Sequence, residues 1–249
     1  MKIIDTHCHL LKNDYSNLDE IIKTTKGYII ISGVDDDSNR EVLSLVDRYD
    51  NVYGTIGIHP QNIESISQNS FKIIEENLSN PKIVGIGEIG LDYHYVKDNK
   101  LEQAETFKRQ LDLAAKYNKT VVIHSRDSIE DTYNILKNYE LKSVIHCFSS
   151  SLDMAKKFIK IGAKIGVGGV LTFKNSKTIQ DVVRNIDLKH LLTETDSPYL
   201  SPEPLRGKKN IPNNIEFILN KIAEIKQTDV QEVSSVILKN AKEQFDLDI

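Results

Sequence analysis

Short runs of β-branched and other apolar residues alternate with amphipathic stretches of helical length along the whole chain, roughly every 25 to 35 residues. This alternation is typical of βα units, whose strands lie parallel in one sheet and whose helices cover it. The runs predict eight strands, at Lys2–Thr6, Tyr28–Ser32, Val52–Ile56, Ile83–Gly87, Thr120–Ile123, Ser143–His146, Lys164–Val167 and His190–Thr193.

The amphipathic stretches predict helices at Leu18–Thr25, Asp37–Tyr49, Ser67–Leu78, Leu101–Tyr117, Ser128–Asn138, Ser151–Ile161, Ser176–Arg184, Pro212–Lys226 and Asp229–Gln244. The fourth of these has an apolar stripe suited to packing on a sheet, formed by Leu101, Ala104, Phe107, Leu111 and Ala114. The polar segment Ser201–Asn214 is predicted to be a long loop after the eighth strand.

Eight βα units predict an α/β protein with the (β/α)8 TIM-barrel fold. The length of 249 residues fits a single barrel domain spanning residues 1–249. A doubly wound open sheet is the structural rival, but it would gather ligands at one switch point and not from five different strands.

Charge and composition exclude several classes of function. The net charge of −4 and the isoelectric point near 6.0 argue against a dedicated duplex-binding protein, but leave a small or single-stranded phosphate substrate open. The only cysteines, Cys8 and Cys147, imply no disulfide framework, and we expect a cytoplasmic protein. No apolar stretch is long enough for a signal peptide or a membrane span, and no obligate protein partner is evident.

Six potential metal ligands each follow or end one of the apolar runs: His7, His9, Glu88, His124, His146 and Asp196. The carboxyl ends of parallel strands in a barrel converge on one mouth, so these side chains are expected to meet there. In a strand, His7 and His9 face the same side, while Cys8 faces the helices. The convergence predicts a metal centre.

Each ligand also has a simpler interpretation when it is taken alone. The two histidines of the first run can be ordinary loop residues, and Glu88 can be a solvated turn residue. His124 and His146 can be hydrogen-bonded core histidines, and Asp196 can serve only to form a turn before Pro198. The six positions together favour the metal centre.

The motifs that carry these residues resemble one known family. They are IIDTHCHL at 3–10, GIHP at 57–60, GEIGLDYH at 87–94, VVIHSRD at 121–127, IHCFSS at 145–150, LLTETDSPYL at 191–200 and RGKKNIP at 206–212. In this order they resemble the TatD family of metal-dependent deoxyribonucleases, within the amidohydrolase-like hydrolases. Thr120 stands where that family usually has Pro, and Ser128 where it has Thr or Ala, but neither is a candidate ligand.

The resemblance implies two divalent ions, Mg, Mn or Zn. It assigns His7, His9, Glu88 and Asp196 to one ion and Glu88, His124 and His146 to the other, with Glu88 bridging. It further implies a 3′–5′ exonuclease acting on single-stranded DNA by a two-metal mechanism. Asp196 is then the group that orients or deprotonates the water, and Glu88 is the second catalytic residue.

Four further residues are candidates for substrate binding. Arg126, two positions beyond His124, can grip a phosphate oxygen. His59 can contact the phosphate or the leaving group, and Arg206 and Lys208 belong to a basic cluster that can follow a DNA backbone. Ordinary surface or backbone contacts are the alternatives for all four. Glu194 and Asp5 are expected to orient the ligands from behind.

Two other classes of function are open. A metal-dependent ester or amide hydrolase, such as an aminoacyl-tRNA deacylase or a small-molecule amidohydrolase, can use the same ions. The amidohydrolases commonly bridge their metals with a carboxylated lysine, where this chain has Glu88. A non-catalytic scaffold would need only some of the ligands.

Overall fold

The computed structural model describes residues 2–95 and 98–249. Eight parallel strands form one sheet in sequence order. They are β1 (Ile4–Cys8), β2 (Tyr28–Ser32), β3 (Val52–Ile56), β4 (Ile83–Asp92), β5 (Thr120–Arg126), β6 (Ser143–Ile145), β7 (Ala163–Val167) and β8 (Leu191–Thr193). The predicted (β/α)8 barrel is confirmed.

Helices connect successive strands and surround the sheet. They are α1 (Leu18–Thr24), α2 (Asp36–Arg48), α3 (Gln68–Asn77), α4 (Lys100–Tyr117), α5 (Ile129–Leu136), α6 (Leu152–Lys160), α7 (Lys177–Asn185), α8 (Ile215–Lys226) and α9 (Val230–Phe245). Short 3-10 turns that the sequence did not predict lie at Pro60–Ser65, Gly169–Thr172 and Leu188–His190, and another, Pro212–Asn214, opens the predicted eighth helix.

The barrel closes between β8 and β1 through individual hydrogen bonds, since the described residues of these two strands form no ladder. Thr6 Oγ1 donates to the carbonyl of Thr193 at 3.0 Å. The amide of Asp196 donates to the carbonyl of His7 at 3.0 Å. This seam therefore joins the start of the chain to the segment that carries Asp196.

The helix stripe predicted for α4 is correct except at its first position. Phe107, Leu111 and Ala114 are fully buried, whereas the side chain of Leu101 is 78% exposed. The packed face begins instead at Gln103. Its side-chain Nε2 donates to the backbone carbonyl of Asp92 at 2.9 Å, and its Oε1 accepts from the backbone amide of Asp92 at 2.8 Å. A polar residue occupies the inner face here because the end of β4 needs hydrogen-bond partners.

Three strands extend farther toward the mouth of the barrel than the sequence predicts, and β6 ends one residue early, at Ile145. β1 runs from Ile4 to Cys8 and so includes His7, and β5 continues past His124 to Arg126. β4 runs five residues beyond Gly87, so Glu88 lies inside a strand, next to a shift in its register with β5. Gly90 makes this extension possible: its φ is +141°, and a Cβ there would lie 2.0 Å from the carbonyl oxygen of His124.

Across the described residues, no helix is both long enough and apolar enough to pass through a membrane.

Candidate metal centre

His7 and His9 project from the end of β1 toward the same point, as the alternation of a strand requires. Their Nε2 atoms lie 3.1 Å apart. The Nε2 of His7 is 3.3 Å from Glu88 Oε2, and that of His9 is 3.2 Å from the same oxygen. Asp196 Oδ1 lies 3.7 and 3.5 Å from the two nitrogens. Four donor atoms thus surround one position.

The other oxygen of Glu88 faces a second group of histidines. Its Oε1 lies 2.8 Å from His124 Nδ1, 3.5 Å from His59 Nε2 and 3.6 Å from His146 Nε2. The carboxylate is almost completely buried, with 3% of the residue exposed. One carboxylate therefore lies between two sets of nitrogen donors, a position from which it could bridge two ions.

Asp196 is held at the seam of the barrel by a buried network behind it. Asp5 Oδ1 accepts from the amide of Thr195 at 2.9 Å, and its second oxygen accepts from the Thr195 hydroxyl. Burial, opposed by these bonds, raises the pKa of Asp5 to about 8. Asp5 thus fixes the loop that presents Asp196.

The nitrogens that face away from the centre have oxygen partners, which sets the orientation of the rings. His9 Nδ1 lies 3.0 Å from the carbonyl of Ser32, and His7 Nδ1 lies 3.0 Å from the hydroxyl of the same serine. His146 Nδ1 lies 3.2 Å from Glu194 Oε1 in an ion-pair contact that lacks hydrogen-bond geometry. A nitrogen that donates to a carbonyl or carboxylate leaves the other ring nitrogen with a free lone pair, as a metal ligand needs.

Asp92 performs this function for His124, and the sequence reasoning did not single it out. Its Oδ2 lies 3.0 Å from His124 Nε2 and accepts a hydrogen bond from Gln61 Nε2 at 2.8 Å. The signal was present, because Asp92 has the same strand parity as Glu88 within GEIGLDYH. It was missed because the strand was expected to end at Gly87.

Glu194 lies fully buried behind His146. Its Oε1 accepts from the amide of Cys147 at 2.5 Å, while its Oε2 has no hydrogen-bond partner among the described residues. Gly166 gives this carboxylate its space, since a Cβ at that position would lie 2.6 Å from Oε2. Burying a carboxylate with one unpartnered oxygen is unfavourable unless a positively charged group lies near it.

The electrostatics of the centre suit a cation. Burial would raise the pKa of Glu88, but His146, His59 and His7 hold it well below its usual range. Burial likewise opposes ionisation of Asp196, and His9 and His146 nevertheless keep its pKa low. Both carboxylates are therefore ionised at neutral pH. The two facing Nε2 atoms of His7 and His9 also need a proton or a metal ion between them and the carboxylates.

His59 differs from the other four histidines. Its Nδ1 accepts from the backbone amide of Gln61 at 3.2 Å, so the neutral ring carries its proton on Nε2, directed at Glu88. Burial lowers the pKa of His59, and Glu88 offsets this only in part. The ring is therefore suited to donating a hydrogen bond into the centre.

A cavity of about 840 Å³ opens above the centre. Its lining includes Glu88, Asp196, His59 and Arg126, whose guanidinium lies over the Tyr95 ring at 4.8 Å. The structure thus brings Arg126 to the site. Arg206 and Lys208 are exposed outside this lining, and the Arg206 guanidinium lies 4.4 Å from the centre of the Phe173 ring.

Residues 4–246 match the family model described as TatD related DNase. The chain belongs to the TatD family. It is 36% identical over 251 residues to a Bacillus subtilis protein named uncharacterized metal-dependent hydrolase YabD, covering 98% of each chain. An Escherichia coli K12 protein named uncharacterized metal-dependent hydrolase YcfH is 32% identical over 262 residues, which cover 100% of this chain and 97% of the relative.

A solved TatD structure has the same fold. The crystal structure of YJJV, a TatD homologue from Escherichia coli K12, superposes with a TM-score of 0.91 at 30% identity over 98% of each chain. With the family and the geometry together, the chain is a metal-dependent hydrolase of the TatD family.

Proposed function

We propose that this TatD-family chain hydrolyses phosphodiester bonds in single-stranded DNA, as a 3′–5′ exonuclease with two divalent ions. The observation that carries the proposal is the position of Glu88, whose Oε2 faces His7 and His9 and whose Oε1 faces His124 and His146. A two-ion centre is suited to phosphoryl transfer, because attacking and leaving oxygens both need charge stabilisation.

One ion would be held by His7, His9, Glu88 and Asp196, and the second by Glu88, His124 and His146. Bound ions would supply Lewis-acid charge and an activated water. Four imidazole ligands favour Zn²⁺ or Mn²⁺ over Mg²⁺, which prefers oxygen.

Three side chains of the cavity would act on the substrate. Asp196 reaches the cavity with 13% of its side chain exposed, and its ionised carboxylate can orient the water and accept its proton. Arg126 can hold a non-bridging phosphate oxygen. His59 can donate its Nε2 proton to the phosphate or the leaving oxygen.

The depth of the centre supports a single-stranded substrate with a free end. The donor atoms of His7, Glu88 and His146 are nearly inaccessible, so the scissile bond must reach the floor of the cavity. A flexible strand end can do so more readily than a base-paired duplex. Arg206 and Lys208 would then contact the DNA backbone farther along the strand.

The two free cysteines remain consistent with our proposal of a cytoplasmic protein.

The decisive experiment is turnover of single-stranded DNA labelled at the 3′ or the 5′ end, with Mg²⁺, Mn²⁺ and Zn²⁺ in turn. We expect stepwise release of nucleotides from the 3′ end and none after chelation. Glu88→Gln should abolish turnover and lower the metal content, while Glu76→Gln, on the surface of α3, should change neither.

An aminoacyl-tRNA ester and a small amide should be tested beside the DNA. Rapid hydrolysis of either one, with no cleavage of DNA under any metal, would reject the nuclease in favour of an ester or amide hydrolase.

A further inference from the structure

Two exposed aromatic rings lie at the mouth of the cavity. Tyr95 is 66% exposed and Tyr199 is 59% exposed, and both line the cavity that contains Glu88 and Asp196. Among the described residues no other aromatic side chain is as exposed. Burying a large aromatic ring stabilises a protein, and a ring that stays exposed does not contribute this stabilisation. Two such rings at one mouth therefore indicate a binding surface.

The topology places the two tyrosines on opposite sides of the centre. Tyr95 follows β4 and Tyr199 follows β8, and these strands are four apart in an eight-stranded barrel. His7 lies on β1 and His124 on β5, and His9 directly follows β1, so these side chains come from positions between the two tyrosines around the barrel. A chain laid across the mouth from one ring to the other therefore passes over Glu88.

Both rings are held in place by their neighbours. The backbone of Tyr199 is fixed at both ends, since its amide donates to the Asp196 carbonyl at 2.8 Å and its carbonyl accepts from Asn210 Nδ2 at 2.8 Å. Its ring centre lies 6.4 Å from that of His9. The Arg126 guanidinium lies over the Tyr95 ring at 4.8 Å from its centre, and the His94 ring is nearly perpendicular to it with the two ring centres 4.8 Å apart.

We propose that Tyr95 and Tyr199 stack two bases of a single-stranded polynucleotide, one on each side of the phosphodiester that is cut. This deepens the proposed function and rests on it. Arg126 lines the same cavity and its guanidinium lies over one face of the Tyr95 ring, so it can hold the intervening phosphate. Aromatic stacking recognises any base through its π-face, so the site would select single strands without selecting their sequence.

The test uses Tyr95→Ala and Tyr199→Ala, with Tyr117→Ala as the matched control. Tyr117 is also partly exposed, but it lies on α4 and bonds Glu75. Each mouth variant should raise KM for single-stranded DNA on the order of tenfold with little change in kcat, because one stacked base is lost. Phenylalanine at either position should restore the wild-type KM, and the control should match the wild type.

An oligomer of abasic tetrahydrofuran nucleotides separates stacking from general damage. It has the same phosphates but no bases, so its KM should be high with the wild-type protein and unchanged by the alanine variants. An alanine variant with wild-type KM on DNA, or with an equal rise in KM on the abasic oligomer, would overturn the stacking assignment.

Fluorescence anisotropy of a labelled oligonucleotide, measured in parallel, separates this inference from the proposed function. Binding that the alanine variants weaken, without any cleavage, would reject the nuclease and keep the stacking site. Cleavage with unaltered binding in the variants would reject the stacking site alone. A wild-type protein that neither binds nor cleaves single strands would reject both.

Discussion

The group behind each ring sets which nitrogen of a histidine at the mouth faces the centre. His9, His124 and His146 direct one nitrogen at Ser32, Asp92 or Glu194 and leave the other for the centre. His59 has the opposite arrangement, because its Nδ1 accepts a backbone proton. The groups behind the rings thus divide the five histidines of one mouth into four candidate ligands and one hydrogen-bond donor.

Asp196→Asn tests the group assigned to the water. The change keeps the size of the side chain but removes the charge that binds metal and accepts a proton, so kcat should fall on the order of 10²-fold or more. Turnover of labelled DNA measures the effect, and an unchanged circular dichroism spectrum must accompany it. A folded variant with near wild-type kcat would show that another group activates the water.

Glu194→Gln tests the carboxylate behind His146. The amide can still accept from the backbone of Cys147, but it no longer offers a full negative charge to His146 Nδ1. Metal affinity, measured by isothermal titration, should weaken by roughly 10- to 100-fold. A variant with unchanged affinity but a lower Tm would assign Glu194 a structural role only.

At the scale of elements, amide side chains hold the mouth loops in place. Gln110 on α4 bonds the backbone of Ile58 at 2.7 and 3.1 Å, next to His59. Asn210 donates to the carbonyls of Thr195 and Tyr199 at 2.9 and 2.8 Å, on either side of Asp196. The loops that carry His59 and Asp196 are therefore held by amide side chains from outside these loops, 52 positions away for Ile58 and 15 positions away for Thr195.

Asn210→Asp should loosen the Asp196 loop. The carboxylate loses both donated hydrogen bonds and leaves buried carbonyls unsatisfied, which should cost about 1–3 kcal/mol of stability. Urea unfolding measures that loss, and kcat should fall while KM for DNA rises through Tyr199. Asn220→Asp, on the exposed face of α8, is the control and should affect none of these. An unaltered kcat in a destabilised variant would show that the position of the Asp196 loop does not affect catalysis.

Lys208→Ala tests whether the basic loop contacts the substrate backbone. The side chain is exposed and outside the cavity lining, so kcat should not change. KM should rise. The slope of log KM against the logarithm of the salt concentration should fall by about one unit if one phosphate contact is lost. An unaltered slope would make the lysine a solvated surface residue. Lys156→Ala, on α6, provides the comparison.

The sequence predicted these elements well where local pattern decides them, and poorly at the mouth. The bounds of β2 and β3 are as predicted, because a buried run and its flanking turns define them. The end of β4 was placed five residues too early, since a strand that continues through Glu88 violates the apolar pattern. Gln103 and Gln110 were not noticed, because a buried glutamine on a helix resembles a surface residue in sequence.

At the scale of the whole molecule, the barrel brings charged groups into its interior that are unfavourable without a cation. Glu88 and Glu194 are almost fully buried, and in the described part of the chain the basic side chains in contact with them are histidines. The convergence of the six candidate ligands was predictable from the eight strands, since the ends of parallel strands share one mouth. The sequence could not predict which of these ligands face Oε1 of Glu88 and which face Oε2, because that depends on side-chain orientation.

Metal binding should therefore stabilise the folded protein. An ion that binds only the folded chain adds about 2.7 kcal/mol at 100 times its dissociation constant. Thermal unfolding should show a Tm that rises with added Zn²⁺ or Mn²⁺ and falls with chelator. The Glu88→Gln variant should show a much smaller rise, and an equal rise in both proteins would mean that the ions bind elsewhere.

The seam between β8 and β1 also sets the moment at which the centre is complete during synthesis. Asp5 and Thr195, which bond across it, are 190 positions apart. At ordinary rates of translation, on the order of 10 to 40 s separate their emergence from the ribosome. A growing chain thus exposes His7 and His9 long before Asp196 exists, and a centre that includes Asp196 is complete only after nearly the whole barrel has been made.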